Sequence, residues 1–419
     1  MKRAREYWHT LGPGLTTGAA DDDPSGIATY SQAGAQYGFQ FLWLAPFTFP
    51  LMAVVQEMCA RIGLVTGKGL AANIRAYYPK WVLYICAGLL FAANSLNIGA
   101  DLGAMAKATQ LISPHLSFDT LILGFAIFSL ALQIFTTYDR YAKYLKWLAL
   151  ILLAYVFSAL STNLDFEKLL THTITPVFDV SKEWIFLVTA VLGTTISPYL
   201  FFWQTSQEIE EEIMQGKTTI ALRKGTTDKD IKDMRMDVWS GMFLSNLVMF
   251  FIIAASAATL YANGVTNIQT AADAAEALRP IAGEFTYLLF TAGIIGTGLL
   301  AIPVLAGSAS YAISESFGWK YGLYRKLKEA NAFYGVIIIS TLIGLSINFL
   351  NLDTIKVLIY TALFNGLIAP VILVLIILLS GSKKVMGDKT NGPITTILGW
   401  MIALIMGLAA VTTIYFFFV

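Results

Sequence analysis

Asp21, Asp22 and Asp23 are consecutive and stand directly before Pro24, in a stretch otherwise apolar from Leu11 to Tyr37. A carboxylate at the centre of a bilayer costs at least about 2.5–3.5 kcal/mol, and adjacent carboxylates repel one another. Such a run persists in an apolar segment only where water or a cation stabilises it. On a continuous helix, neighbours point about 100° apart; unwinding lets more than one face the same cavity. The competing reading places the helix start after residue 26 and the acids in a solvent loop, which leaves residues 11–20 a short orphan. A second breaker sits in Gly193-Thr194-Thr195-Ile196-Ser197-Pro198-Tyr199. Proline removes a backbone donor and clashes one turn back, and it pushes the preceding residue out of the helical region. Unwound backbone survives in lipid only where protein or a water-filled cavity satisfies it.

Few other polar groups lie at membrane depth. Asn94, Asn97 and Asp101 are spaced to share one helical face. Asp101 reads either as a pathway residue or as an acid paired with a hydroxyl or amide. Thr361 with Asn365, and Asn246, read as hydrogen-bonding glue between helices. Gln56-Glu57 is expected where water reaches it, and Glu208, Glu210, Glu211 and Glu212 as a solvated face at a mouth. His9, His115 and His172 all fall outside apolar segments, so no histidine relay is evident.

The elements that position these residues follow from composition. Of 419 residues 56% are apolar and 13% charged, about half the ordinary charged share. That excludes a soluble enzyme and a disordered chain. A net charge of +1 gives no reason to expect nucleic acid. Cys59 and Cys86 lie in separate spans, which argues against a disulfide framework or a zinc site. A spanning helix needs about 20 apolar residues. Eleven candidates follow: 11–37, 41–63, 81–112, 118–136, 142–161, 184–208, 237–261, 283–313, 333–350, 354–380 and 393–418. The short basic start is followed by a segment too interrupted by Asp for a signal-peptide core. With the N-terminus in the cytoplasm, 23 of the 28 Lys and Arg fall inside and 4 outside, Lys107 lying near an outer span end. The positive-inside rule therefore predicts a multi-pass protein, N-terminus cytoplasmic and C-terminus outside, in a plasma (inner) membrane. The breakers fall in the first and sixth spans, the first of each set of five. Because five is odd, the second set runs inverted, and paired interruptions mark a transporter site at the repeat interface. One transmembrane domain is expected over 1–419: repeat one at about 11–161, repeat two at about 184–380 and an extra helix at about 393–418.

Residues 11–70 carry LGPG, DPSGIATYSQAGAQYGF and ARIGLVTGKGL. With the segment at 193–204, this resembles the natural-resistance-associated macrophage protein (Nramp) metal transporters. The resemblance implies an all-α LeuT-like fold, two inverted five-helix repeats plus an eleventh helix, and a divalent metal between the broken first and sixth helices. The family's DPGN reads Asp23-Pro24-Ser25-Gly26 here, and its MPH reads Ser197-Pro198-Tyr199. Asp23 thus keeps the metal-binding carboxylate. The amide ligand has become Gly26, the thioether Ser197, and two histidines Tyr199 and Gln204. The third-helix Asp is kept at Asp101, while the Glu after it has become Ala104.

Thioethers favour softer metals, whereas carboxylate, carbonyl and water suit Mg²⁺, Ca²⁺ or Mn²⁺. Mg²⁺ dehydrates reluctantly and keeps several waters, which a wider pocket accommodates. The pattern resembles the divergent Nramp-related magnesium transporters. The expected function is alternating-access transport of Mg²⁺, and of Mn²⁺, without proton coupling. Asp23 is the principal ligand, and Asp22 and Asp21 bind through water or set the local potential. The family pattern adds the carbonyls of Ala20 and Thr194, with Ser197 and the Thr194 hydroxyl holding waters. The metal is cargo, so no cofactor is expected; the partners are the ion and the lipid bilayer, and a monomer suffices. Alternatives are a proton-coupled Mn²⁺/Fe²⁺ importer using Asp101, an amino-acid carrier disfavoured by the aspartates, and an intramembrane aspartyl hydrolase pairing Asp101 with Asp22 or Asp23.

Overall fold

The computed structural model describes residues 8, 10–162, 164–179, 181–268, 270–350 and 354–418, and among them only helices, turns and irregular connections occur. The first expected span is two helices, α1 (Pro13–Asp21) and α2 (Pro24–Tyr37). Then come α3 (Leu44–Thr66), α4 (Leu70–Tyr77), α5 (Lys80–Ile112), α6 (Phe118–Phe135) and α7 (Tyr138–Leu160). A short helix α8 (Phe166–Ile174) precedes α9 (Lys182–Thr195) and α10 (Pro198–Met214), the two parts of the sixth span. The remainder is α11 (Ile220–Arg223), α12 (Asp228–Thr259), α13 (Ala271–Phe317, broken at Gly283), α14 (Asn331–Ile347), α15 (Thr354–Gly381), α16 (Lys383–Met386) and α17 (Pro393–Phe418).

Nine helical segments among the described residues are long and apolar enough to cross a membrane. One of the nine is the sixth span taken across its break, α9 with α10; the two expected spans not among them are the first, α1 and α2 with 9 and 14 residues, and the ninth, α14, which has 17 residues. Expected edges moved where local chemistry overrides hydropathy. The seventh span was expected from 237, but α12 starts at Asp228, where the Thr227 hydroxyl and the Asp230 carboxylate form a reciprocal capping box. Its first turns are polar, and a hydropathy window does not register them.

Small residues set the packing around the first span. A Cβ added at Gly14 would lie 2.5 Å from the Val238 nitrogen, and one at Gly18 or Gly241 would collide with facing backbone. Thus α1 and α12 touch backbone to backbone, the small-residue contact favoured between helices in lipid. Gly99 of α5 meets Gly344 of α14 in the same way. The start of α1 is also held by charge. The Asp237 carboxylate accepts hydrogen bonds from the backbone N–H of Gly12 (2.8 Å), Gly14 (2.7 Å) and Leu15 (3.1 Å). These are donors that a helix leaves unsatisfied at its N-terminus, so Asp237 caps α1 from another helix. Lys146 of α7 donates to the carbonyls of Trp8 and Leu11.

Candidate functional site

The two breaks have the same local form. After α1, Asp22 takes φ −86°, ψ 52° and Asp23 is extended at φ −68°, ψ 167°; Pro24 then opens α2. After α9, Ile196 takes φ −117°, ψ 60° and Ser197 is extended at φ −79°, ψ 131°; Pro198 then opens α10. Proline fits the first helical position, where its missing N–H is no loss. Each break therefore joins a free helix C-terminus to a free helix N-terminus, and buried polar groups must satisfy both.

Asp23 caps α2. Its Oδ1 accepts from the Gly26 N–H (2.7 Å) and the Ser25 hydroxyl (2.6 Å), and its Oδ2 accepts from Asn97 Nδ2 of α5 (2.6 Å). These donors fix the carboxylate's direction. Asp21 turns elsewhere, its Oδ2 accepting from the Ser245 hydroxyl of α12 at 2.9 Å. The acid run therefore splays between α5 and α12 instead of converging. Among the described residues no three His, Cys, Asp or Glu side chains gather to hold a metal.

What does converge is a mixed oxygen set around Gly26. A Cβ at that residue would sit 3.1 Å from Thr194 Oγ1, 3.3 Å from the Asp21 carbonyl and 3.5 Å from Asp23 Oδ1. Its three nearest atoms are all oxygens, from α1, α9 and the turn between α1 and α2. With no side chain at Gly26, an acid, a hydroxyl and a carbonyl face one another across it.

Other expected donors are otherwise engaged. The Ala20 carbonyl accepts from the Tyr199 hydroxyl (2.8 Å), so the carbonyl bordering Gly26 is that of Asp21. The Ser197 hydroxyl donates to the carbonyls of Gly193 and Thr194, each at 2.8 Å, closing the C-terminus of α9. Asn97 is the neighbour whose role the sequence left undefined, although its spacing with Asp101 placed both on one face. Asp101 lies alongside Asp23 and Ser25. Neither of its oxygens meets full hydrogen-bond geometry, although the backbone N–H of Ser25 faces it, and no carboxyl–carboxylate bond joins it to Asp23. Asp21, Asp22, Asp23 and Asp101 are all at most 1% exposed. Asp21 Oδ1 and Asn97 Oδ1 lack partners, and Asp22 has close by the Ser245 hydroxyl that Asp21 already engages. No ion pair found among the described residues involves these acids.

Two expectations about outlying polar groups are corrected. Gln56 and Glu57 are buried; Glu57 pairs with Arg235 (2.8 Å) and accepts from Trp239 Nε1 (2.9 Å). The acid run on α10 is not a solvated face: Glu208, Glu210 and Glu212 are at most 6% exposed. Glu208, Glu211 and Glu212 do border a cavity of about 400 Å³ at the Lys- and Arg-rich end of the bundle, with Thr16 of α1 and Asp237 of α12 in its wall. Asn246 is glue as expected, accepting from Thr48 at 2.8 Å. Asn94, expected only to share a face with Asn97 and Asp101, donates to the Leu305 carbonyl at 2.9 Å.

The model of the Nramp family (natural resistance-associated macrophage protein-like) matches residues 14–416. The divalent metal cation transporter MntH of Aeromonas hydrophila is 26% identical over 97% of this chain and 96% of its own length. MntH of Klebsiella pneumoniae strain 342 is 24% identical over 94% and 91%. Among solved structures, the Eremococcus coleocola manganese transporter in complex with an aromatic bis-isothiourea compound superposes with a TM-score of 0.77 at 17% identity, over 97% of this chain and 86% of that one. Mhp1, a nucleobase-cation-symport-1 family transporter, gives 0.62 at 12% identity, over 96% and 92%. The chain belongs to the Nramp family and is a multi-pass membrane protein with the LeuT-like fold.

Proposed function

We propose that this protein is a carrier, not an enzyme, that moves divalent metal ions, Mg²⁺ and Mn²⁺, by alternating access around the two helix breaks and without proton coupling. The observation that carries the reading is the convergence of three oxygens at Gly26, namely Asp23 Oδ1, Thr194 Oγ1 and the Asp21 carbonyl. Carboxylate, carbonyl and hydroxyl oxygens suit hard cations. Four buried carboxylates without a basic partner among the described residues add to it. An unpaired buried charge is heavily disfavoured, and a divalent cation with its waters supplies the missing charge. Asp23 is the principal ligand, Thr194 and the Asp21 carbonyl complete the protein's share, and Asp22 and Asp21 act through water. Ala20 and Ser197 support the breaks, and Gly26 supplies room.

The relatives named as divalent metal cation and manganese transporters support the ion class. The matched breaks support two repeats, at about 11–161 and 184–380, with a helix at about 393–418 added. The distribution of Lys and Arg supports a plasma-membrane protein with the N-terminus cytoplasmic and the C-terminus outside, which makes the 400 Å³ cavity the cytoplasmic vestibule. The bordering groups come from one chain, so a monomer suffices.

A second reading, a proton-coupled Mn²⁺/Fe²⁺ importer, is favoured by Asp101, buried beside Asp23 with no ion pair found among the described residues. Purified protein in proteoliposomes separates the two. The first requires Mg²⁺ entry, its loss in Asp23→Ala, and no metal-driven acidification of the lumen. Acidification accompanying Mn²⁺ entry, with Mg²⁺ excluded, establishes the second.

A further inference from the structure

A second polar cavity, of about 240 Å³, lies at the Lys- and Arg-rich end, between the ends of α10 and α13 and the connection after α13. Its charged walls are Arg223, Lys320 and Arg325, and its aromatic walls include Tyr311, Trp319 and Tyr324. No ion pair found among the described residues neutralises any of the three cations. Arg223 is 8% exposed and uses its guanidinium only on carbonyls, those of Gly67 (3.2 Å) and Lys217 (3.0 Å). Arg325 stacks over the Tyr324 ring at 4.8 Å, and its Nε is buried without an acceptor. The one acid in the wall, Glu210, is already engaged. It accepts from the Tyr311 hydroxyl (2.5 Å) and from the N–H groups of Leu323 (2.7 Å) and Tyr324 (3.0 Å). What the cavity lacks is an anion with several acceptor oxygens. Guanidinium forks match phosphate in charge and geometry.

The surroundings indicate which phosphate. Trp319 stacks on Phe317 (5.1 Å between centroids), which stacks on Tyr84 of α5 (5.2 Å). These rings are 41%, 50% and 41% exposed, and Trp81 nearby on α5 is 66% exposed. A row of exposed Trp, Tyr and Phe rings beside a basic end is the composition of a membrane–water interface. The cavity wall therefore continues onto a surface suited to the upper part of an acyl chain. Basic pockets between helices at this level hold anionic headgroups. We propose that this cavity binds the phosphate group of an anionic phospholipid in the leaflet at the basic end of the bundle, with Arg325, Lys320 and Arg223 as the cationic contacts.

The test uses the full-length protein in neutral detergent. It is titrated with dioctanoyl-phosphatidylglycerol, dioctanoyl-phosphatidylcholine and inorganic phosphate, read by thermal shift and native mass spectrometry. Saturable binding of phosphatidylglycerol is expected, with phosphatidylcholine and free phosphate binding at least about tenfold more weakly, and a comparable loss of phosphatidylglycerol affinity in the Lys320→Gln/Arg325→Gln double variant. The Lys320→Arg variant, which keeps the charge, should retain binding, and a lipid-free melting temperature of the Gln double variant equal to the parent's controls for misfolding. Free phosphate binding as tightly as phosphatidylglycerol overturns the lipid assignment in favour of a soluble phosphate ligand. Equal binding of phosphatidylcholine, or undiminished binding by the Gln double variant, overturns the site.

Discussion

Replacing Gly26 by alanine separates the stability of the first broken helix from its ion chemistry. Gly26 is the third residue of α2 and its backbone φ is negative, so alanine fits the local conformation. Alanine is a better helix former than glycine by up to about 1 kcal/mol. The new methyl would stand 3.1 Å from Thr194 Oγ1 and 3.3 Å from the Asp21 carbonyl. Relieving those contacts means shifts of a few tenths of an ångström, with a strain of about 1 kcal/mol that offsets the helix gain. The Gly26 N–H still caps against Asp23. The melting temperature should therefore stay within a few degrees of the parent, since about 1 kcal/mol moves a domain of 150–250 residues by only about 2–4 °C. The site fares differently. An ion bound about 2.0–2.1 Å from Mg²⁺ ligand oxygens, or a water of its shell, would compete with the methyl for one space. Losing one charge-assisted contact of about 1.5–3 kcal/mol lowers affinity by at least about tenfold. Isothermal titration with Mg²⁺ and Mn²⁺, uptake into proteoliposomes and a thermal melt on one preparation measure all three quantities. Unchanged metal affinity and normal uptake in Gly26→Ala would show that the space at Gly26 is not the ion's, and the proposed ligand set would fall with it.

Other outcomes follow from the same geometry. Metal at about one hundred times its dissociation constant should stabilise the parent by about 2.7 kcal/mol, seen as a raised melting temperature that EDTA reverses and Asp23→Asn abolishes. Asn97→Ala removes the 2.6 Å donor that holds Asp23 Oδ2; titration should show a metal affinity about tenfold lower, and an unchanged value would make Asn97 merely structural. Asp237→Ala takes away three backbone hydrogen bonds at the start of α1. It should cost about 3 kcal/mol and speed amide exchange at residues 12, 14 and 15, whereas parental protection there would show that α1 is held by its glycine contacts alone.

Parts of this architecture are open to sequence reading because one strong physical term dominates them. The energy of apolar segments in lipid far exceeds local preferences, so nine of the eleven expected spans coincide with long apolar helical segments among the described residues, and Pro24 and Pro198 reveal the interruptions. The seventh span is harder because the turns from Asp228 are polar and held by a side-chain cap. The burial of Glu57 and of the α10 acids is concealed for a related reason. Their partners, Arg235, Tyr311 and the N–H groups of Leu323 and Tyr324, lie on other helices and connections. A charge run reads as solvated until tertiary neighbours are known. The spacing of Asn97 and Asp101 gives a shared face, but not that the face meets Asp23.

The substitutions at the breaks also carry a second meaning, which ligand-by-ligand comparison with the family does not convey. Read as losses, Ser197 for a thioether only widens the site and hardens its preference, and Tyr199 for an imidazole only removes a step of a proton route. Here both hydroxyls act as donors to broken-helix backbone: Ser197 to the carbonyls of Gly193 and Thr194, Tyr199 to that of Ala20. A helix that stops in the membrane leaves its last carbonyls without N–H partners, and a metal can supply that need only while it is bound. The hydroxyls of Ser197, at the second break, and of Tyr199, at the start of α10, supply it permanently, so the ends of α1 and α9 do not depend on the ion for these bonds. In the proposed site the protein's own share of the coordination is then small: Asp23, Thr194 and one carbonyl. A cation that sheds water reluctantly loses least in such a site, because few of its waters need replacing. On this reasoning the hydroxyls that complete the breaks and the glycine that opens the space are two parts of one adaptation to a hydrated ion.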